Sequence, residues 1–180
     1  RCVALCVSLR VMQLRKSTYD DVESVCRIIG QAQSQMRRLG IDQWQNGYPD
    51  RNSVLADVEA GVGYVMCEAD TVIACGAVIF GADPNYARIE EGEWITEGSD
   101  YVVVHRLAVA DGFKHRGMAT RFMCQVEEMA RMRGTGSFRI DTHRDNLYMQ
   151  SMLDTLGFTC CGVIYVSDGT PRRAYEKVLR

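Results

Sequence analysis

The chain has 180 residues, 47% of them hydrophobic, enough for one domain with a substantial core. Its formal net charge of −2 argues against a protein that coats nucleic acid. No apolar run approaches the roughly 20 residues that cross a membrane.

Residues 1–11 admit two readings. The apolar stretch Cys2 to Leu9 lacks the basic lead and cleavage site of a secretory signal. Met12 can serve as a start, which makes residues 1–11 an extension. The alternation of Val3, Leu5, Val7 and Leu9 reads instead as an added edge strand. One domain is expected over residues 12–180. It opens with a short strand at residues 11–15. Thr18, with Asp21 three residues on, forms a capping-box pattern. Val22, Val25, Ile29, Ala32, Met36 and Leu39 then step by three and four, which predicts a one-faced helix ending at Gly40. A loop with Trp44, Gln45 and Tyr48 leads to a second helix over residues 52–60.

Residues 64–67 and 72–80 read as a hairpin turning at Ala69 and Asp70. A long acidic loop follows, with Glu90, Glu91, Glu93, Glu97 and Asp100. Residues 102–109 form an apolar strand, and residues 138–142 another. A short helix spans residues 146–156 and stops at Gly157. The last hairpin, residues 159–166 and 172–178, turns through Ser167, Asp168, Gly169 and Thr170. The order is mixed α and β, with a central β-α-β unit and hairpins at both ends. The eight cysteines include no C-x-x-C pair. Cys26, Cys67, Cys75 and Cys124 fall inside apolar patterns, and Cys160 adjoins Cys161. That spacing suits neither a disulfide framework nor a zinc site. The cysteines are expected to be reduced and packed as small hydrophobes, which points to the cytoplasm, with no metal.

The richest stretch is V-V-V-H-R-L-A-V-A-D-G-F-K-H-R-G-M-A-T, from Val102 to Thr120. A strand feeds a loop, and Gly117 opens a helix whose apolar face is Met118, Phe122, Val126, Met129 and Ala130. A helix start presents unpaired N–H groups and the positive end of the helix dipole. Small residues there, Gly117 and Ala119, let a phosphate group approach the backbone. The patterns G-x-x-x-x-G-K-[ST] and G-x-G-x-x-G are absent, which argues against other nucleotide-phosphate folds.

These residues resemble the GNAT superfamily of acyl-CoA-dependent N-acyltransferases. The family's phosphate loop, Q/R-x-x-G-x-G/A, reads here K-H-R-G-M-A, with Lys114 in the first place. The preceding H-R-L-A-V and the later D-N-L-Y-M-Q-S-M-L-D-T-L-G-F, Asp145 to Phe158, are similar to the family's central strand and its N-x-x-A-x-x-L-Y-x-x-x-G-F helix. The resemblance covers nearly the whole chain from Met12. It implies an α/β fold (α+β mixed sheet), mostly antiparallel, with the β-α-β unit flanked by helices. It also implies acetyl-CoA as acyl donor and no metal.

By that resemblance, His115, Arg116, Gly117, Met118, Ala119 and Thr120 supply N–H groups to the pyrophosphate, and Lys114 and Arg116 add charge. The strand at residues 101–109 should diverge from that at 138–142. The pantetheine arm would fill the gap, bonded to the main chain of Leu107 and Val109 and reached by Asn146, which also reads as a helix cap. The family's usual acid, a Tyr on the last helix, is replaced by Leu153. The acceptor is expected to be a primary amine of a small molecule or a protein, with no nucleic acid or membrane partner; a homodimer is compatible.

His105 is the candidate general base, because it lies on the central strand just before the expected thioester position and an imidazole suits the task. The competing reading is a hydrogen-bonded core histidine. His143 reads as a loop or cap residue, and Tyr165 and Tyr175 as packing residues that could reach the acceptor cleft. Trp44, Gln45 and Trp94 could line that cleft, and residues 90–100 either attract a cationic amine or form a solvated loop. A different class of function, a non-catalytic acyl-CoA-binding or sensing module, is favoured by Leu153 alone.

Overall fold

The computed structural model describes residues 12–180. The two readings of residues 1–11 lie outside the described residues. The elements run β1 (Met12–Lys16), α1 (Val22–Arg38), α2 (Arg51–Glu59), β2 (Gly63–Glu68), β3 (Thr71–Phe80), β4 (Tyr101–Val109), α3 (Met118–Met132), β5 (Ser137–Thr142), α4 (Leu147–Thr155), β6 (Thr159–Tyr165) and β7 (Pro171–Val178). They form one seven-stranded sheet in the order β1-β2-β3-β4-β5-β7-β6. Only β4 and β5 pair in parallel, joined through α3 as a β-α-β unit. This is the mixed, mostly antiparallel α/β fold that the family resemblance implies. No helix among the described residues is long and apolar enough to cross a membrane.

The sheet is covered on both faces, because alternate strand residues point to opposite sides. Val65 and Cys67 pack with Val22, Val25, Ile28 and Ile29 of α1 and Val54 of α2. Their neighbours Tyr64 and Met66 pack in the cluster of Met118, Phe122, Val126 and Ala130 of α3 and Leu153 of α4. The start of α1 is set by a fold-back: the Thr18 backbone N–H donates to Asp21 Oδ2 at 2.8 Å. Arg15 grips the same carboxylate with two bonds of 2.7 and 2.8 Å.

Two departures from the predicted helix faces have simple causes. Leu39, extrapolated as the last apolar step of α1, lies beyond the helix and is 49% exposed. Cys124 points away from the buried face of α3, and it and Cys160 are exposed rather than packed. The six described cysteines are all free.

Strand β4 carries a bulge. Cys75 pairs with Ala108 and Ala77 with His105, so Gly76 alone faces both Arg106 and Leu107. Arg106 adopts the left-handed region, φ +55, a conformation costing an ordinary residue about 1–3 kcal/mol. Its guanidinium is clamped by Asp57 of α2 at 2.9 Å through Nε. Gly76 is needed opposite: a Cβ there would meet the Phe122 ring at 3.1 Å and the His105 carbonyl at 3.4 Å.

The 81–100 segment is pinned to the sheet by a buried charge cluster. Glu176 is fully buried, and Arg139 beside it is 3% exposed. Glu176 accepts from Arg139 Nε at 2.9 Å, Ser137 Oγ at 2.6 Å and the Ile95 and Thr96 N–H groups at 2.6 and 3.2 Å. Arg139 in turn lies between the rings of Trp94 and Tyr101, 4.3 and 4.1 Å from their centroids. Burial pushes the Glu176 carboxyl up, but the bonds from Ser137, Thr96 and Arg139 outweigh it and hold it below the ordinary glutamate value. Removing one member of such a pair leaves a buried charge uncompensated. Glu176→Gln is therefore expected to lower the unfolding free energy by about 3–5 kcal/mol in denaturant titration.

Candidate active site

The predicted divergence of the central strands is present. β4 and β5 pair only at Tyr101–Ser137, Val102–Phe138 and Val103–Arg139. Past those pairs the residues of β4 from the bulge onward face an open groove of about 240 Å³. Gly117, φ +73, caps α3 without any side-chain bond. The first helical bond runs from the Arg121 N–H to the Gly117 carbonyl at 2.9 Å, so the N–H groups of Met118, Ala119 and Thr120 precede the helix ladder. No atom lies within 4 Å of the position a Gly117 Cβ would take. A phosphate group can therefore come up to the backbone there, as the pyrophosphate implied by the family resemblance requires.

Leu107, Val109, Lys114, His115, Gly117, Met118, Ala119 and Asn146 all line this groove. Arg116 and Thr120 do not. The Arg116 guanidinium lies over the Phe113 ring, 5.6 Å from its centroid. Lys114 is on the wall, but its ammonium is paired with Asp111 at 2.6 Å. The charge expected from Lys114 and Arg116 is thus partly spent inside the protein. Asn146 caps α4, accepting the Met149 N–H at 3.2 Å, as its alternative reading requires.

A second cavity of about 470 Å³ adjoins the groove. The two share Met36, Leu107, Asn146 and Met149 as walls. His105 lines the second cavity with its side chain 17% exposed. Its Nε2 lies 2.7 Å from Asp83 Oδ2. Asp83 is fixed from three sides: its N–H donates to the Tyr101 hydroxyl at 2.9 Å, and its Oδ1 accepts from the backbone and side chain of Asn85 at 2.9 and 3.0 Å. Burial pushes the Asp83 carboxyl up, yet the bonds and charge of His105 and the Asn85 N–H outweigh it and hold it below the usual value. An ionised Asp83 only accepts, so Nε2 is the donor in that contact. Nδ1 lies 3.9 Å from Asp141 Oδ1. That same oxygen accepts the Tyr86 hydroxyl at 2.7 Å, and the Tyr86 ring meets the His105 ring edge-on. His105 is both hydrogen-bonded and open to a cavity, which joins the two readings of it.

The other candidates separate. Tyr175 is 2% exposed in the core, and Leu153 is fully buried beside it. Tyr165 is largely exposed. Neither tyrosine borders either cavity. His143 accepts the Asp145 N–H at 3.2 Å, a loop role as expected. Trp44 lines the second cavity, whereas Gln45 does not: its amide is spent on the Gln33 and Gln43 carbonyls. Trp94 is packed on Arg139 and Tyr86 instead. The acidic side chains at the cavity are not those of residues 90–100 but Asp83, Asp141 and Asp168. Asp83 and Tyr86 were missed because they lie 22 and 19 positions before His105 in a segment without periodicity. The D-P-N turn at residues 83–85 was a legible local signal for the Asp83 backbone bond, though not for its partner.

The depressed Asp83 value has a stability consequence with a definite sign. Its contribution is present above the ordinary carboxylate range and is lost as pH falls through its lowered value. Asp83→Asn should therefore unfold at lower temperature than the parent near pH 7, and the gap should narrow toward pH 3 in thermal melts.

A model of the acetyltransferase (GNAT) family matches residues 28–158. A GNAT-family acetyltransferase from Streptococcus agalactiae 2603 is 33% identical and superimposes with a TM-score of 0.85, over 93% of this chain and 95% of its own. One from Listeria monocytogenes 4b F2365 shares the fold at 16% identity, TM-score 0.71, over 93% and 95%. So does the PaiA N-acetyltransferase of Thermoplasma acidophilum, solved with coenzyme A, at 15% identity, TM-score 0.64, over 93% and 99%. No curated protein matches closely enough to carry a comparison. The chain belongs to the GNAT acetyltransferase family.

Proposed function

We propose that this protein transfers the acetyl group of acetyl-CoA to a primary amine, with His105 as general base. The observation that carries the reading is the Asp83–His105 pair lining a cavity that meets the donor groove at Leu107. The groove's lining by Leu107, Val109, His115, Gly117, Met118, Ala119 and Asn146 supports a site for the pantetheine and pyrophosphate. The Thermoplasma relative bound to coenzyme A supports that use of the fold.

An alkyl amine near pKa 10 is protonated at pH 7, and removing the proton costs about 4 kcal/mol. His105 Nδ1 takes it, and the imidazolium so formed is flanked by the carboxylates of Asp83 and Asp141. The freed nitrogen attacks the thioester carbon, the carbon–sulfur bond breaks with its electron pair on sulfur, and the second proton shed by the nitrogen passes to that thiolate, giving the amide and the free thiol. A thiol of pKa near 8.5 leaves with modest help, so Leu153 in place of a tyrosine does not prevent turnover. The Leu107 N–H, on the bulge where the cavities meet, is the proposed donor to the carbonyl oxygen. A non-catalytic acyl-CoA-binding module is the second reading, and Leu153 is what favours it.

His105→Gln is expected to lower kcat by 10²–10⁴-fold in a thiol-release assay while acetyl-CoA affinity changes little. The parent's kcat/KM should rise with pH as the general base loses its proton, and the variant should lack that limb. A binding-competent parent with no turnover on any amine would establish the second reading.

Gly117→Glu places a carboxylate in the phosphate position. Calorimetry should show acetyl-CoA binding lost, with the fold retained by circular dichroism. Parent-like affinity would place the donor elsewhere.

A further inference from the structure

The acceptor cavity contains a buried cation that the chemistry above does not use. Arg172, at the start of β7, lines the cavity and is 6% exposed. The only side-chain hydrogen bond it makes among the described residues runs from Nη1 to the neighbouring Pro171 carbonyl at 3.0 Å. No carboxylate among the described residues lies within 4.0 Å of its guanidinium. The cavity's other arginine, Arg106, is held by Asp57. Asp168 also lines the cavity but makes no ion pair with Arg172: its Oδ1 accepts the N–H and hydroxyl of Thr170 at 2.9 and 2.5 Å and its Oδ2 the Asn46 amide at 3.2 Å, and the Thr170 bonds, with the Arg172 charge at longer range, hold its carboxyl below the usual value. His143 supplies no negative charge, and burial and the Arg172 charge both favour its neutral form. The guanidinium nitrogens left without a protein hydrogen bond open onto the cavity, where a ligand's carboxylate can meet them, and the planar fork matches that anion.

The register places this cation relative to the base. Asp141 on β5 faces Ala174 on β7. Arg172 is two residues from Ala174, hence on the same face of the sheet and about 7 Å along the strand. The cavity therefore has two ends. Asp83, His105 and Asp141 form one, suited to an ammonium group that is to lose a proton. Arg172 forms the other, suited to an anion.

We propose that the acceptor is an amino acid or another small aminocarboxylate, its carboxylate held by Arg172 and its amine presented to His105. The inference rests on the acetyltransferase reading and narrows it to a substrate class. The rival class, a diamine or polyamine, would use Asp168 as its second contact and would leave Arg172 buried against a positive charge.

The test is a matched acceptor panel with acetyl-CoA: amino acids, their carboxamides, their decarboxylated amines, and 1,4-diaminobutane. Products are followed by mass spectrometry. In the parent, the acids should exceed their carboxamides in kcat/KM by about 10- to 100-fold, the scale of a charged hydrogen-bonded pair. Arg172→Gln should shrink that ratio to below about threefold, and Arg172→Lys should restore part of it. A parent that prefers carboxamides, plain amines or the diamine overturns the substrate class and leaves the acetyltransferase reading standing. If no acceptor is turned over, calorimetry with the same acids decides. Binding by the parent that Arg172→Gln abolishes upholds the aminocarboxylate site and sinks the reaction, whereas no binding overturns both.

Discussion

Two parallel strands share three residue pairs and then part, and the site is built in the space they leave. β4 and β5 are paired from Tyr101 to Val103. Three residues further, the bulge at Arg106 and Leu107 turns β4. A bulge twists and bends its strand, and here it does so at the end of the shared ladder. The left-handed Arg106 is stabilised by a half-buried pair with Asp57, reaching to α2. Gly76 leaves room for Phe122 beneath. The bend thus depends on a helix on one face and a glycine–aromatic contact on the other. Leu107 sits on the bend and borders both cavities, so the geometry that opens the sheet also joins donor and acceptor space.

The proposed base, His105, depends on a second, more distant constraint. Asp83 belongs to the long connection before β4, and such a segment has no ladder of its own to hold it. Its position is transmitted from the buried Arg139–Glu176 pair. Glu176 binds the N–H groups of Ile95 and Thr96, and Arg139 carries Trp94 on its guanidinium face. Trp94 donates to the Tyr86 carbonyl at 3.1 Å, and Tyr86 stacks on Tyr101, whose hydroxyl accepts the Asp83 N–H. A contiguous set of charged and aromatic contacts therefore sets the carboxylate against His105. Trp94 is a positioning residue for this network and not a wall of the acceptor cleft.

Local periodicity made most of the scaffold legible. The three-and-four stepping of Val22 to Met36 and of Met118 to Ala130 specified both long helices, and the β-branched run before His105 specified the central strand. The phosphate loop was legible because its chemistry is local: a glycine, a helix start and free N–H groups lie within a few residues. The acceptor side was not, because its groups come from residues 83, 105, 141 and 172, brought together only by sheet order. Gln45 and Trp94 were assigned to the cleft as polar or aromatic loop residues, and each instead satisfies buried partners. Lys114 illustrates the same limit: its charge was visible, but its pairing with Asp111 was not.

Leu153 shows why the polar groups are concentrated where they are. Amide formation asks for two proton movements of unequal difficulty: an amine near pKa 10 must lose a proton before it can attack, while a thiol near 8.5 is a competent leaving group as its anion. The larger demand falls on the acceptor side. There the chain places an imidazole, two carboxylates and a tyrosine hydroxyl within hydrogen-bond or ion-pair reach of one another. On the helix of the leaving group it places a leucine, fully buried among Phe158, Tyr175 and Ile140. A hydroxyl at that depth would need a partner of its own, and the apolar side chain completes the core instead. In the proposed reaction, the distribution of polarity across the two cavities matches the difference between the two proton transfers.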